Sequence, residues 1–144
     1  MKKNMKKNSK GFTLVELLAV IVVLAVIMVI ATTQINKTIK KSRADSFVSS
    51  YNIVLDAVKM CSIQAMNDTD CKGTIDLSSD DYSLTLTSAR GVYSITLEGK
   101  GKFDTMDLTE YYQAANGTDT GKTKLKAATA VSAKKIEASY TPAS

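Results

Sequence analysis

Glu16 is the residue that most needs a chemical reason. It is the only charged side chain in the 20 residues from Phe12 to Ala31, and its neighbours are almost all apolar. An ionisable group within such a run costs about 2.5–3.5 kcal/mol at mid-bilayer on insertion scales and usually implies a partner. Glu16 stands four residues after Phe12, about 6 Å along a helix axis, so it would lie near one bilayer interface, where the cost falls. A cut between Gly11 and Phe12 would turn the α-amine of Phe12 into a cation at the helix head. Glu16 of the same chain would be within i, i+4 reach of it, and so would Glu16 of an adjacent helix. A carboxylate in the first turns also suits the helix dipole. Such a pair between neighbours would set their axial register.

Cys61 and Cys71 are the only cysteines. In an exported domain an even pair implies a disulfide, here closing a short local loop worth on the order of 3 kcal/mol by chain-entropy arguments. Two independent free thiols are the alternative. A zinc site lacks a third and fourth ligand of the usual kind. The sequence has no histidine and no tryptophan, which excludes histidine-based catalysis and histidine metal ligation. Asp76, Asp80 and Asp81, or Asp68 and Asp70, could contribute to a calcium site, but neither group has the closing glutamate and glycine of a full loop; solvated turns account for both. Asn67-Asp68-Thr69 and Asn116-Gly117-Thr118 satisfy the N-glycosylation sequon, and turn composition explains them equally well. Paired catalytic carboxylates, phosphate-cradling loops and activated nucleophiles are not recognisable. No enzyme, cofactor or metal is expected.

The element that must position Glu16 is the apolar run itself. Twenty helical residues span about 30 Å, the thickness of a bilayer core. Ahead of the run stand Lys2, Lys3, Lys6, Lys7 and Lys10, with no acid. These five account for the formal charge of +5: without them, 14 basic residues face 14 acidic ones. A neutral remainder gives no support to a general nucleic-acid or anionic-membrane role. Positive-inside logic places the lysine-rich end in the cytoplasm only weakly, because Lys37, Lys40, Lys41 and Arg43 nearly balance it on the far side.

The stretch Lys10-Gly11-Phe12-Thr13-Leu14-Val15-Glu16-Leu17-Leu18 resembles the class III signal of type IV pilins and related pseudopilins. The glycine, the phenylalanine, the glutamate offset and the long apolar run all match, over roughly the first quarter of the chain. The resemblance implies that prepilin peptidase cuts after Gly11, that the amine of Phe12 is then methylated, and that Glu16 governs docking into a growing filament. It also implies an assembly ATPase and a membrane platform protein as partners, with the cytoplasmic membrane holding the subunit, N-terminus inside, before assembly. Two blander accounts of the same stretch are an ordinary secretory signal cut before Thr32 and a plain membrane anchor. Secretory h-regions run about 7–15 residues and seldom hold a glutamate.

From Phe12 to about Met66 there is neither glycine nor proline, so the helix is expected to continue for about 80 Å. Its second half is amphipathic, with Phe47, Tyr51, Val54, Val58, Cys61 and Ala65 at spacings of four and three and Val48, Leu55 and Ser62 alongside. That stripe needs a surface to cover it. Between the halves, Thr32-Thr33-Gln34-Ile35-Asn36 is the poorest helix-forming segment. Many Gram-negative pilins carry a helix-breaking proline nearby and this chain has Thr33, so any melting during assembly should be confined to residues 32–36.

Asn67-Asp68-Thr69-Asp70 ends the helix and enters the disulfide loop, with Gly73 permitting a turn. Tyr82–Thr87 and Val92–Leu97 alternate and read as an antiparallel hairpin joined by Ser88-Ala89-Arg90-Gly91. A further strand is expected near Lys102–Met106, an ambiguous element over Leu108–Ala115, a tight turn at Asn116-Gly117, and weaker strands over Thr123–Val131 and Lys135–Tyr140. Lys122, Lys124 and Lys126 would share one face of a strand. They would form either a basic stripe for DNA or an acidic surface, or lysine protection of a sheet edge, and the edge reading is favoured because no stacking aromatics lie nearby.

The expected fold class is α+β: a long N-terminal helix, membrane-spanning in its first half and amphipathic in its second, packed on a small antiparallel β-sheet. The domain plan is a leader over 1–11, a transmembrane or filament-core helix over 12–31, its continuation over 32–66, and a disulfide loop with β-sheet over 67–144. The expected function is structural, as the major subunit of a self-assembling type IV pilus for adhesion, twitching motility, aggregation or biofilm. The alternatives are a pseudopilin of a competence DNA-uptake or type II secretion apparatus, and a membrane-anchored binding module that never polymerises.

Overall fold

A computed structural model describes residues 11–143; the leader lysines lie outside the described residues. The chain divides into two units, one ending at Lys37 and one beginning at Thr38. Helix α1, Leu14–Ile63, runs through both.

In the first unit α1 is apolar on all sides from Leu17 to Ala31. Its most apolar 18-residue window has a mean hydropathy of 3.2 and none of it is buried among the described residues; the helix is long and apolar enough to cross a membrane. Residues 32–36 are helical here. The hydroxyls of Thr32 and Thr33 donate back to the carbonyls of Met28 (2.6 Å) and Ile30 (3.0 Å), so both are satisfied within the helix itself.

In the second unit the remaining turns of α1 bury Ala44, Phe47, Val48, Tyr51, Val54, Leu55, Val58 and Cys61. This is the stripe that the spacing predicts, except at its end. Ala65 is exposed with φ 51°, and the helix stops at Ile63 rather than Met66. The chain turns through Gln64 and Ala65 into helix α2, Asp68–Thr74, whose N-cap Asn67 accepts from the N–H of Asp70 at 2.9 Å. The sequence signals for an ending at 67–70 are therefore those of a new helix start. Cys61 and Cys71 are bonded, with Cα atoms 5.7 Å apart, and the disulfide joins the last turn of α1 to α2.

The buried stripe of α1 lies on an antiparallel sheet of four strands: β1 (Tyr82–Ala89), β2 (Val92–Gly99), β5 (Ala128–Val131) and β6 (Lys135–Tyr140), in the order β1-β2-β6-β5. The hairpin is tighter than the four-residue turn expected. Ala89 pairs with Val92, and Arg90 (φ 53°) and Gly91 (φ 79°) form a two-residue turn of the left-handed kind that matches strand twist. Leu86, Tyr93, Ile95, Leu97, Ile136 and Ala138 are buried in the same core as the helix stripe. Phe47, Tyr82 and Phe103 form an aromatic cluster with ring centroids 4.9–5.7 Å apart. Gly99 lets this cluster close: a Cβ there would fall 2.7 Å from Met106 and 2.8 Å from Phe103.

Two expectations fail beyond β2. Residues 102–106 are not a strand; Gly101–Phe103 is a short 3-10 turn that drives Phe103 into the core, so its period is set by one anchor rather than by alternation. The ambiguous segment 108–115 divides into a 3-10 turn at Leu108–Glu110 and the short strand β3, Tyr112–Gln113, which pairs in parallel with β4, Thr123–Lys124. The strand expected over 123–131 is broken at Ala127 (φ 59°) into β4 and β5. Lys122, Lys124 and Lys126 therefore do not share one continuous strand face; Lys122 pairs with Asp119 at 3.4 Å.

Candidate processing and docking segment

The residues singled out at the N-terminus lie where chain becomes helix. Gly11, Phe12 and Thr13 precede α1, and both Gly11 and Phe12 are exposed, Phe12 by 83%. A Cβ added to Gly11 would meet no atom within 4 Å. Among the described residues, nothing therefore requires a glycine at that position.

Glu16 sits in the first turn of α1 and makes a reciprocal cap. Its Oε2 accepts from the N–H of Thr13 at 2.8 Å, while Thr13 Oγ1 accepts from the N–H of Glu16 at 3.3 Å. This is the capping box, in which two helix-end donors are satisfied by side chains three residues apart. The pattern Thr13-x-x-Glu16 was a readable signal for it, and the reading of Glu16 as a partner for an amine alone missed it. In the uncut chain the carboxylate is thus oriented toward the residue following Phe12, on the side where a cut would create a cation.

The other singled-out residues serve the fold. Asp68 Oδ2 accepts from the N–H of Ser88 (2.9 Å), and hydrogen bonding from the Ser88 side chain, followed by that N–H, holds the Asp68 carboxyl below the usual range. Asp81 pairs with Lys102 (2.8 Å), with the same direction and a like cause. Asp70 accepts from the side chain of Asn67 at 2.7 Å, so that sequon asparagine is engaged in its own cap. Asn116 is exposed.

Two part-buried polar ties were not anticipated. Tyr112 on β3 donates its hydroxyl to Asp45 Oδ1 at 2.6 Å, and Lys41 reaches Asp45 Oδ2 at 3.0 Å. The Tyr112 hydrogen bond, more than Lys41, holds the Asp45 carboxyl below its usual range, while burial and Asp45 push Tyr112 up to about 12. Tyr51, fully buried, donates to the carbonyl of Lys126 at 2.5 Å, and burial raises it to about 12 as well. No sequence spacing connects positions 45 and 112, so neither partner could have been named in advance.

Residues 6–32 match the Prokaryotic N-terminal methylation motif. This is the class III signal typical of type IV pilins and pseudopilins, and here it is joined to an α+β, pilin-like fold. Proteins of this class are structural rather than enzymatic. The match ends just past the apolar run of α1 and leaves the globular unit unmatched. Neither the comparison with curated proteins nor that with solved structures finds a match.

Proposed function

We propose that the chain is the structural subunit, and the major one, of a type IV pilus. Prepilin peptidase cuts the Gly11–Phe12 bond, the new amine of Phe12 is methylated, and an assembly ATPase acting through a membrane platform protein extracts subunits from the cytoplasmic membrane into a surface filament. The observation that carries this reading is Glu16 at the head of a helix that is apolar and exposed on every side. Such a helix leaves lipid only if neighbouring helices replace it, and burial at about 25 cal/mol per Å² of apolar area then dominates filament stability. Exposure of the Gly11–Phe12 bond ahead of the helix supports processing there. The absence of any internal need for glycine at position 11 is consistent with a requirement set by the peptidase.

Mass spectrometry of the N-terminal peptide from sheared surface material tests the reading. A plentiful peptide beginning at methylated Phe12 supports it, whereas the same peptide confined to the membrane fraction points to a pseudopilin. A chain beginning at Thr32 refutes both.

The capping box adds a sharper test of Glu16. Glutamine retains the hydrogen-bonding geometry of the cap but not the charge. If charge pairing with the Phe12 amine sets register, Glu16→Gln and Glu16→Ala are both processed normally and both lose surface filaments, measured as pilin in the sheared fraction. Normal filaments from Glu16→Gln would assign the residue to capping alone.

A further inference from the structure

The outer edge of β1 is closed at both ends and open in the middle. Gly99 donates its N–H to the carbonyl of Lys134 at 2.8 Å, so the odd-numbered residues of β2 face β6 and Ser94, Thr96 and Glu98 face β1. Their partners Thr87, Thr85 and Ser83 take up that ladder. Tyr82, Leu84, Leu86 and Ser88 must then turn their backbone groups to the other side. At the two ends those groups are used: the N–H of Tyr82 donates to the carbonyl of Ser78 (2.9 Å) and that of Ser88 to Asp68 (2.9 Å). The N–H groups of Leu84 and Leu86 have no partner among the described residues. Exposed strand edges are ready-made templates for pairing with another chain.

A groove of about 290 Å³ lies along the Tyr82–Leu84 part of this edge, walled by Ile75, Leu77, Tyr82 and Leu84 and flanked by Lys72 and Lys100. Neither lysine has an acidic partner among the described residues, and Asp76 and Asp80 do not line the groove. Segment 75–79 forms the far wall, so the edge faces a trough rather than open solvent. A single extended strand fits a trough better than the flat edge of a second sheet.

We propose that the β1 edge is a strand-addition site for an extended, acidic peptide segment of a partner protein. The added strand exchanges backbone hydrogen bonds with Leu84 and Leu86, sets apolar side chains against Ile75 and Leu77, and places its carboxylates by Lys72 and Lys100. Main-chain bonding supplies affinity and the flanking pockets supply selectivity. The site does not depend on whether the chain polymerises, so it stands or falls separately from the pilus reading.

The test uses the full chain in detergent micelles with capped Asp-Val-Thr-Val-Asp as the probe. Amide hydrogen exchange at Leu84 and Leu86 should slow by about tenfold or more at millimolar peptide, with the inward-facing Thr85 and Thr87 unaffected. The fully N-methylated peptide should give no protection. Lys72→Glu with Lys100→Glu should weaken binding by about tenfold or more and favour Lys-Val-Thr-Val-Lys, while circular dichroism stays unchanged. Unchanged exchange at the two leucines, or equal protection by the basic peptide, would overturn the proposal. So would protection that rises with protein concentration in the absence of peptide, since the occupant would then be a second copy.

Discussion

The two ends of α1 are one continuous element built for two different solvents. From Leu17 to Ile27 every large apolar side chain is 54–61% exposed, whichever way it points. From Ala44 to Cys61 burial follows the helical period, with Phe47, Tyr51, Val54 and Val58 fully buried while Ile53 and Met60 stay exposed. An amphipathic stripe is satisfied by one covering surface, and here the sheet and the Phe103 turn supply it. A helix apolar all round is satisfied by lipid or by like helices on every side, and nothing among the described residues covers it. One half is therefore completed by folding and the other by environment.

The strongest way to break this contrast is to make comparable truncations in both halves. Phe47→Ala removes a fully buried ring from the aromatic cluster and should cost about 3–5 kcal/mol of domain stability. Leu24→Ala should leave the domain's unfolding midpoint unchanged, because its side chain contributes nothing to that core. Denaturant unfolding of both variants as full chains in micelles measures the pair. A comparable loss from Leu24→Ala would mean that the two halves share one cooperative core.

A smaller effect sharpens the same point with a covalent tie. The Cys61–Cys71 bond secures the exit of α1 only on the domain side, across a sequence separation of 10. Replacing both cysteines by serine should cost about 2–4 kcal/mol, read as a lowered thermal midpoint. Reduction of the native chain should reproduce most of that loss. A double variant as stable as the parent would show that non-covalent contacts, the Asn67 cap and the Asp68–Ser88 bond among them, hold α2 without the disulfide.

How much of this was legible follows from the range of the forces involved. The apolar run, the amphipathic stripe and the hairpin are local periodicities, so the α+β class and the contents of the helix face could be read residue by residue. The capping box is also local and readable in Thr13-x-x-Glu16. The region after Gly99 was poorly legible because single anchors set it. Phe103 enters the core from a 3-10 turn, Ala127 takes a positive φ, and β3 meets β4 through a parallel pairing of two residues each. Strand propensity carries little information over elements that short.

The Asp45–Tyr112 tie gives the smallest and most specific effect, and it separates the halves by pH. Asp45 lies on α1 within the second unit, and its carboxyl is held below the ordinary value of 3.8 chiefly by the Tyr112 hydroxyl. A depressed folded value means that the stabilisation is fully present above the unfolded carboxylate value and is lost as pH falls through the folded one. Tyr112 is pushed the opposite way, to about 12, so its own contribution is complete below about 10 and fades as pH rises toward 12. Asp45 is substantially solvent-exposed, so water screening limits the carboxylate's contribution to about 1 kcal/mol or less. Asp45→Asn should therefore lower the domain's thermal midpoint slightly at neutral pH, and its curve should converge on that of the parent below about pH 4. Tyr112→Phe should show the same acid convergence, because it removes the other end of the same bond. If the Asp45→Asn deficit instead persists unchanged to low pH, the tie acts through packing of the ring rather than through the charged hydrogen bond.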